Sequence, residues 1–188
     1  MAPKTVNSVN LKRYQGTWYE LARLPMYFQR NCAQSEAHYT LKPDGNVDVF
    51  NRCLTSDWQW EEARGTASPQ VPGKTDKLWV EFDNWFSRIV PGVAKGEYWV
   101  LYVSDDYKTA IVGDPSRRYM WLLSRTPTVK VDVREELREV VRARVLADAV
   151  VLPDGHHGPT LADLAGAEVR ADGGAGDARA GARAVADR

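Results

Sequence analysis

The sequence predicts an all-β fold, an eight-stranded up-and-down antiparallel β-barrel with one C-terminal α-helix packed outside. Two observations carry that expectation. Runs of alternating apolar and polar residues recur through residues 1–144, separated by Gly, Pro, Asp and Asn, and eight of them can be marked in order. After the last run comes "VDVREELREVVRAR", whose Val133, Leu137, Val140 and Val141 fall on one helical face. Consecutive short strands followed by a lone amphipathic helix suit a closed barrel with a helix on its outer wall.

The strands justify themselves one at a time. The first is "TWYELARL", where Trp18 follows Gly16 by two residues. "SEAHYTL" then leads through "KPDGN" to "VDVFNRC", and Asp-Gly between alternating runs is a strong hairpin signal. "WQWEEARGTA", "DKLWVEF", "EYWVLYV", "KTAIVG" and "YMWLLSR" complete the series. Connections are short except at "DNWFSRIVPGVAKG", which carries Trp85, Phe86 and Ile89. That loop reads either as a cover over the barrel side or as an apolar rim for peripheral membrane contact.

The 188 residues provide one domain with a proper core. Lys plus Arg equal Asp plus Glu at 25 each, so no polyanion is attracted, and nucleic acid is not an expected partner. No run of about 18 apolar residues is present to form a spanning helix. The start, "MAPKTVNSVN", is too polar for a signal peptide and has no lipobox cysteine, which points to the cytoplasm or to a mature form without its leader. The organisation expected is a flexible N-terminus over residues 1–8, a folded domain over 9–144 and a low-complexity, disordered tail over 145–188. All aromatic residues lie at or before Trp121, and the tail has too little apolar bulk to offset its ordering entropy. From Val145 on, every residue except Thr160 has codons beginning with G or C, as GC-rich DNA read out of frame would give; a frameshifted tail is therefore one reading. Cys32 and Cys53 can form a disulfide or stay as two half-buried thiols, and no histidine cluster accompanies them to make a metal site.

"GTWYE" after "NLKRY", "YKTAIVGDP" and "WLLSRTP" resemble, in order, the three signatures of the lipocalin family. "YFQRNC…YTLKPDGNVDVFNRC" further resembles the bacterial lipocalin branch, related to apolipoprotein D. The likeness runs from about Val9 to Arg144. It implies a ligand-holding barrel, a setting in the periplasm or at the outer membrane, and a short ninth strand after the helix, for which "VLADAVVLP" is a poor candidate. Gly16, Trp18 and Arg125 take the structural signature positions. Physically, Trp18 can plug one barrel end, with the Arg125 guanidinium across its indole and Gly16 allowing the tight entry.

Side chains alternate across a strand, so one anchor fixes each face. With Trp18 pointing in, Glu20 and Ala22 follow, and Tyr19 and Leu21 point out. Ala37, Tyr39 and Leu41 with Val47, Val49 and Asn51 are expected inside. So are Ala63, Gly65 and Ala67; Leu78, Val80 and Phe82; and Trp121 with Leu123. "EYWVLYV" is apolar on both faces; the family pattern places Tyr98, Val100 and Tyr102 inside. The expected ligand-binding set is therefore Glu20, Ala37, Tyr39, Val49, Asn51, Ala63, Val80, Phe82, Tyr98, Val100, Tyr102, Trp121 and Leu123. Apolar walls with a few polar atoms suit an elongated amphiphile, and each buried methylene contributes about 0.8 kcal/mol. The headgroup is expected at the open mouth and the tail towards the base.

The function expected is storage or transport of fatty acids or lysophospholipids, in membrane biogenesis or repair, by a monomer or weak homodimer without a cofactor. A haem, tetrapyrrole or pigment carrier is the alternative ligand reading. Nucleophile-elbow, phosphate-loop and zinc motifs are absent from the sequence, so no enzyme is expected. The alternative is a lipocalin-fold enzyme using Cys53, which would need a neighbouring base or cation to activate its thiol.

Overall fold

The computed structural model describes residues 2–25, 29–83 and 95–143. Eight strands close into one antiparallel barrel in sequence order, β1 through β8, with β8 returning to β1. They are β1 (Gly16–Arg23), β2 (Cys32–Leu41), β3 (Val47–Thr55), β4 (Trp60–Pro69), β5 (Lys77–Phe82), β6 (Lys95–Val103), β7 (Thr109–Gly113) and β8 (Met120–Ser124). Each expected run is a strand. The "KPDGN" turn joins β2 to β3, with Lys42 N donating to Asn46 O at 2.8 Å and Gly45 at φ +86°. That positive φ is the reason for a glycine there.

Two layers of apolar packing share the barrel wall. The inner one gathers Trp18, Tyr39, Val49, Ala67, Leu78, Val80, Val112 and Leu123. The outer one gathers Leu21, Ala22, Leu24, Trp99, Leu101, Ile111, Met120 and Leu122 beneath helix α2 (Val131–Val141). Leu137 and Val141 of that helix are fully buried there, and Val133 and Val140 pack beside them, as their spacing predicted. A shorter helix, α1 (Leu11–Tyr14), precedes β1 and was not foreseen; Asn10 caps it by accepting from Arg13 N at 3.2 Å.

Ala22 and Tyr102 depart from the expected alternation, for one physical reason. The β1–β8 register shifts between Glu20 and Ala22, and the β6–β7 register shifts between Val100 and Tyr102. A bulge adds one residue and turns the following side chain to the opposite face. Leu21 and Ala22 therefore both face outward, as do Leu101 and Tyr102, and all four join the outer layer. Tyr102, expected among the ligand-binding set, instead points its hydroxyl at Glu136 of α2, 3.4 Å away.

The N-terminal residues 1–8, expected to be flexible, run along the barrel from residue 2 on and make specific contacts. Val6 N donates to Val100 O at 2.9 Å, and Thr5 Oγ1 donates to Asp76 Oδ2 at 2.7 Å. The tail 145–188, the ninth-strand candidate and the loop bearing Trp85, Phe86 and Ile89 lie outside the described residues.

Candidate ligand-binding cavity

One end of the barrel is closed by Trp18 and Arg125. Trp18 is fully buried and donates its indole N–H to Tyr14 O at 2.7 Å. Arg125, just past β8, lies with its guanidinium carbon 3.8 Å from the Trp18 ring centre. Its Nη1 donates to Thr17 O at 2.9 Å, its Nη2 to Arg13 O and Tyr14 O at 2.8 and 3.1 Å, and its Nε to Tyr107 O at 3.2 Å. One cation thus caps the end of α1, the start of β1 and the β6–β7 turn together. Gly16 enters β1 at φ +96°, and a Cβ there would sit 3.3 Å from Arg125 Nη1. These contacts are what the three signature positions do in this chain.

Above that floor three tyrosines meet. Tyr98 Oη lies 2.8 Å from Tyr14 Oη and 3.2 Å from Tyr39 Oη. Tyr14 stacks over Tyr39 at 5.8 Å and leans on Trp18 at 4.9 Å between ring centres. Burial pushes the Tyr39 hydroxyl up to about 12 and moves those of Tyr14 and Tyr98 upward as well, so all three stay protonated across the physiological range.

The cavity that rises from this floor has a volume of 540 Å³, within the range of about 300–1,000 Å³ usual for small-molecule sites. Of the expected set, Glu20, Ala37, Tyr39, Val49, Asn51, Ala63, Val80, Phe82, Tyr98, Trp121 and Leu123 line it. Val100 faces inward but packs into the inner core without reaching the cavity. Tyr102 is outside, as described. Gly65 leaves room for Phe82: a Cβ on it would meet Glu81 O at 2.4 Å and Phe82 Cα at 3.0 Å. The Asn51 Oδ1 is buried and has no hydrogen-bond partner among the described residues.

Polar links gather towards the mouth. Arg23, turned inward by the β1 bulge, pairs with Glu20, and its Nη2 donates to Gln29 O at 2.7 Å and Cys32 O at 3.0 Å. Gln29 accepts from Trp121 Nε1 at 2.8 Å and donates to Glu20 Oε2 at 3.3 Å. The Glu20 charge is therefore matched by Arg23. Cys32 and Cys53 form a disulfide across β2 and β3 with Cα atoms 5.5 Å apart. The two-thiol reading is corrected: with Cys53 bridged, it has no free thiol to act as a nucleophile. His38 is exposed on the outer face, bonded to Thr17 Oγ1 at 2.9 Å. At the tip of the β3–β4 turn Trp58 is 78% exposed, and Trp60 beside it is 44% exposed under the Arg52 guanidinium.

Sequence reasoning missed Tyr14, Arg23 and Gln29. Tyr14 precedes the first strand, on a helix too short to show periodicity. Arg23 was hidden by the bulge. Gln29 sits in a loop that no alternation rule describes.

A family profile described as a lipocalin-like domain matches residues 9–149. Temperature-induced lipocalin-1 of Arabidopsis thaliana is 36% identical over 138 residues, covering 72% of this chain and 73% of that protein. The outer membrane lipoprotein Blc of Escherichia coli K12 is 35% identical over 136 residues, covering 72% of each chain. Among solved structures, insecticyanin of the tobacco hornworm Manduca sexta superposes with a TM-score of 0.61 at 19% identity, over 87% of this chain and 88% of its own, which shows the shared fold.

Proposed function

The chain belongs to the lipocalin family, whose members bind small hydrophobic ligands, and from that premise we propose that it holds fatty acids or lysophospholipids for storage or transport. The observation that carries the reading is the 540 Å³ cavity, closed at one end by Trp18 and Arg125 and walled largely by aliphatic and aromatic side chains. An acyl chain would gain about 0.8 kcal/mol per buried methylene along such walls. The Arg23–Glu20 pair near the mouth lets a headgroup approach without an uncompensated acidic charge beneath it. Binding of this kind is reversible and requires no chemistry from the protein.

The setting we propose is a membrane surface, in biogenesis or repair. Trp58 stands exposed at the mouth end, and an indole of this kind settles at headgroup level. The Blc relative is an outer membrane lipoprotein, which favours the periplasmic face of that membrane.

Native mass spectrometry of protein purified from its own source tests the ligand class. A bound mass in the fatty-acid or lysophospholipid range is expected, and titration with palmitic acid should then saturate at one molecule per chain. Visible absorbance of the same preparation separates the alternative, because a tetrapyrrole is coloured and a fatty acid is not. A coloured preparation that takes up no palmitic acid would replace the lipid reading with the pigment one.

A further inference from the structure

The floor of the cavity is not a hydrocarbon surface. Tyr14, Tyr98 and Tyr39 form a chain of three hydroxyls joined by two hydrogen bonds. Three hydroxyls carry three protons, and two bonds use two of them. However the bonds are directed, one O–H is left without an acceptor among the described residues. All three rings line the cavity. The spare proton stays in place because burial holds the three hydroxyls neutral. Asn51 supplies the complementary group: its Oδ1 is buried and has no donor among the described residues. Asn51 stands midway along β3, one inward-facing position beyond Val49, the partner of Tyr39 on β2. Buried polar groups left unpaired are costly, so a donor and an acceptor in the wall of one cavity favour an occupant that satisfies both.

We propose that the Tyr14–Tyr98–Tyr39 chain and Asn51 form a polar subsite at the cavity floor that takes an oxygen atom at the far end of an apolar ligand, a hydroxyl above all. This deepens the lipid-binding reading and rests on it. A terminal hydroxyl can accept the spare tyrosine proton and donate its own to Asn51 Oδ1 or to a tyrosine oxygen. A ligand of that class is amphiphilic at both ends: one polar group at the mouth, one at the floor, and a methylene chain between them. A carboxylate is poorly suited to the floor, because Arg125, the nearby cation, spends its guanidinium donors on backbone carbonyls behind Trp18.

The test compares palmitic acid with 16-hydroxyhexadecanoic acid on the full chain by calorimetric titration. A hydroxyl driven into an apolar floor would weaken binding about tenfold or more. The expected result is the reverse, with the hydroxy acid bound more tightly. It should also shift the tyrosine ultraviolet absorption on binding, which palmitic acid should not do. In the Tyr14→Phe/Tyr39→Phe/Tyr98→Phe variant the preference should invert in favour of palmitic acid. Weaker binding of the hydroxy acid to the unaltered protein overturns the subsite, as does a variant that keeps the preference. Should that variant fail to fold, the affinity ratio and the tyrosine shift in the unaltered protein decide alone. If palmitic acid binds and the hydroxy acid does not, the subsite fails while the lipid reading stands; if neither binds, the lipid reading itself fails.

Discussion

The two faces of the same barrel wall are used in opposite ways. Outside, Leu101, Ile111, Met120, Leu122 and Leu24 are packed solid beneath Leu137 and Val141 of α2. Inside, Val80, Leu78, Ala63 and Leu123 border open space. The outer face does what a protein interior ordinarily does, filling space to near-crystalline density. The inner face withholds that density and leaves room for another molecule. The two bulges serve this division: each sends two consecutive side chains outward, thickening the layer under the helix. The β1 bulge also turns Arg23 inward to meet Glu20. Stability should therefore reside mainly in the outer layer and the floor, and ligand capacity in the inner walls.

The floor joins the two regimes, so removing it should have the largest effect. Trp18→Ala is expected to cost about 3–5 kcal/mol in chemical denaturation, and it leaves Arg125 without its stacking partner. The next pair compares the faces at constant chemistry. Leu137→Ala, under the helix, should cost about 4 kcal/mol, because it opens a closed void in a packed layer. Leu78→Ala, on the cavity wall, should cost about 2 kcal/mol, because its side chain already borders free space. Equal costs in urea melts would erase the distinction between faces.

Near the mouth the constraint is covalent. Opening the Cys32–Cys53 bridge, whose cysteines lie 21 positions apart in sequence, by Cys32→Ser/Cys53→Ser should cost about 3 kcal/mol in thermal melts. Affinity for palmitic acid at temperatures below the transition should change little by comparison.

The tyrosine floor gives a pH signature. Burial raises Tyr39 from its ordinary value near 10 to about 12, so the folded state binds more protons than the unfolded state between those values. The stability this neutral burial contributes is complete below pH 10 and is lost as pH rises through 12. For Tyr39 that amounts to something on the order of 2–3 kcal/mol at the alkaline limit. Ultraviolet titration should show late-ionising tyrosines whose ionisation coincides with unfolding, and fewer of them in Tyr39→Phe.

The barrel, its strand order and the outer helix were legible in the sequence because alternation of period two and a lone period of 3.6 leave little else to build. Most of the cavity wall was legible because one marker per regular strand fixes its parity, Trp18 on β1 and the small set Ala63, Gly65 and Ala67 on β4 among them, whereas on β6 the family pattern rather than alternation placed Tyr98 inside. Ala22 and Tyr102 were misplaced because a bulge is one extra residue, and nothing marks it in "YELARL", where a charged residue falls on each parity, or in "WVLYV", where both faces are apolar. The bridge between Cys32 and Cys53 was one of the possibilities a pair of cysteines permits, and only the pairing of β2 with β3 brings them together. Tyr14 could have been suspected from "NLKRYQG", where Asn10 is a good helix cap and a tyrosine stands just before the barrel entry.

The central claim is that the inner face is hollow in order to be filled by a ligand, and Ala63 tests it most directly. Its methyl lines the cavity on β4, opposite Asn51 of β3. Ala63→Phe should project a ring into that space. Palmitic acid titrated into the unaltered protein should bind one to one, and Ala63→Phe should weaken it at least about tenfold with the melting temperature held or raised, since the ring fills open volume rather than overpacking a core. Unchanged affinity in the variant, or a large loss of stability, would contradict the account.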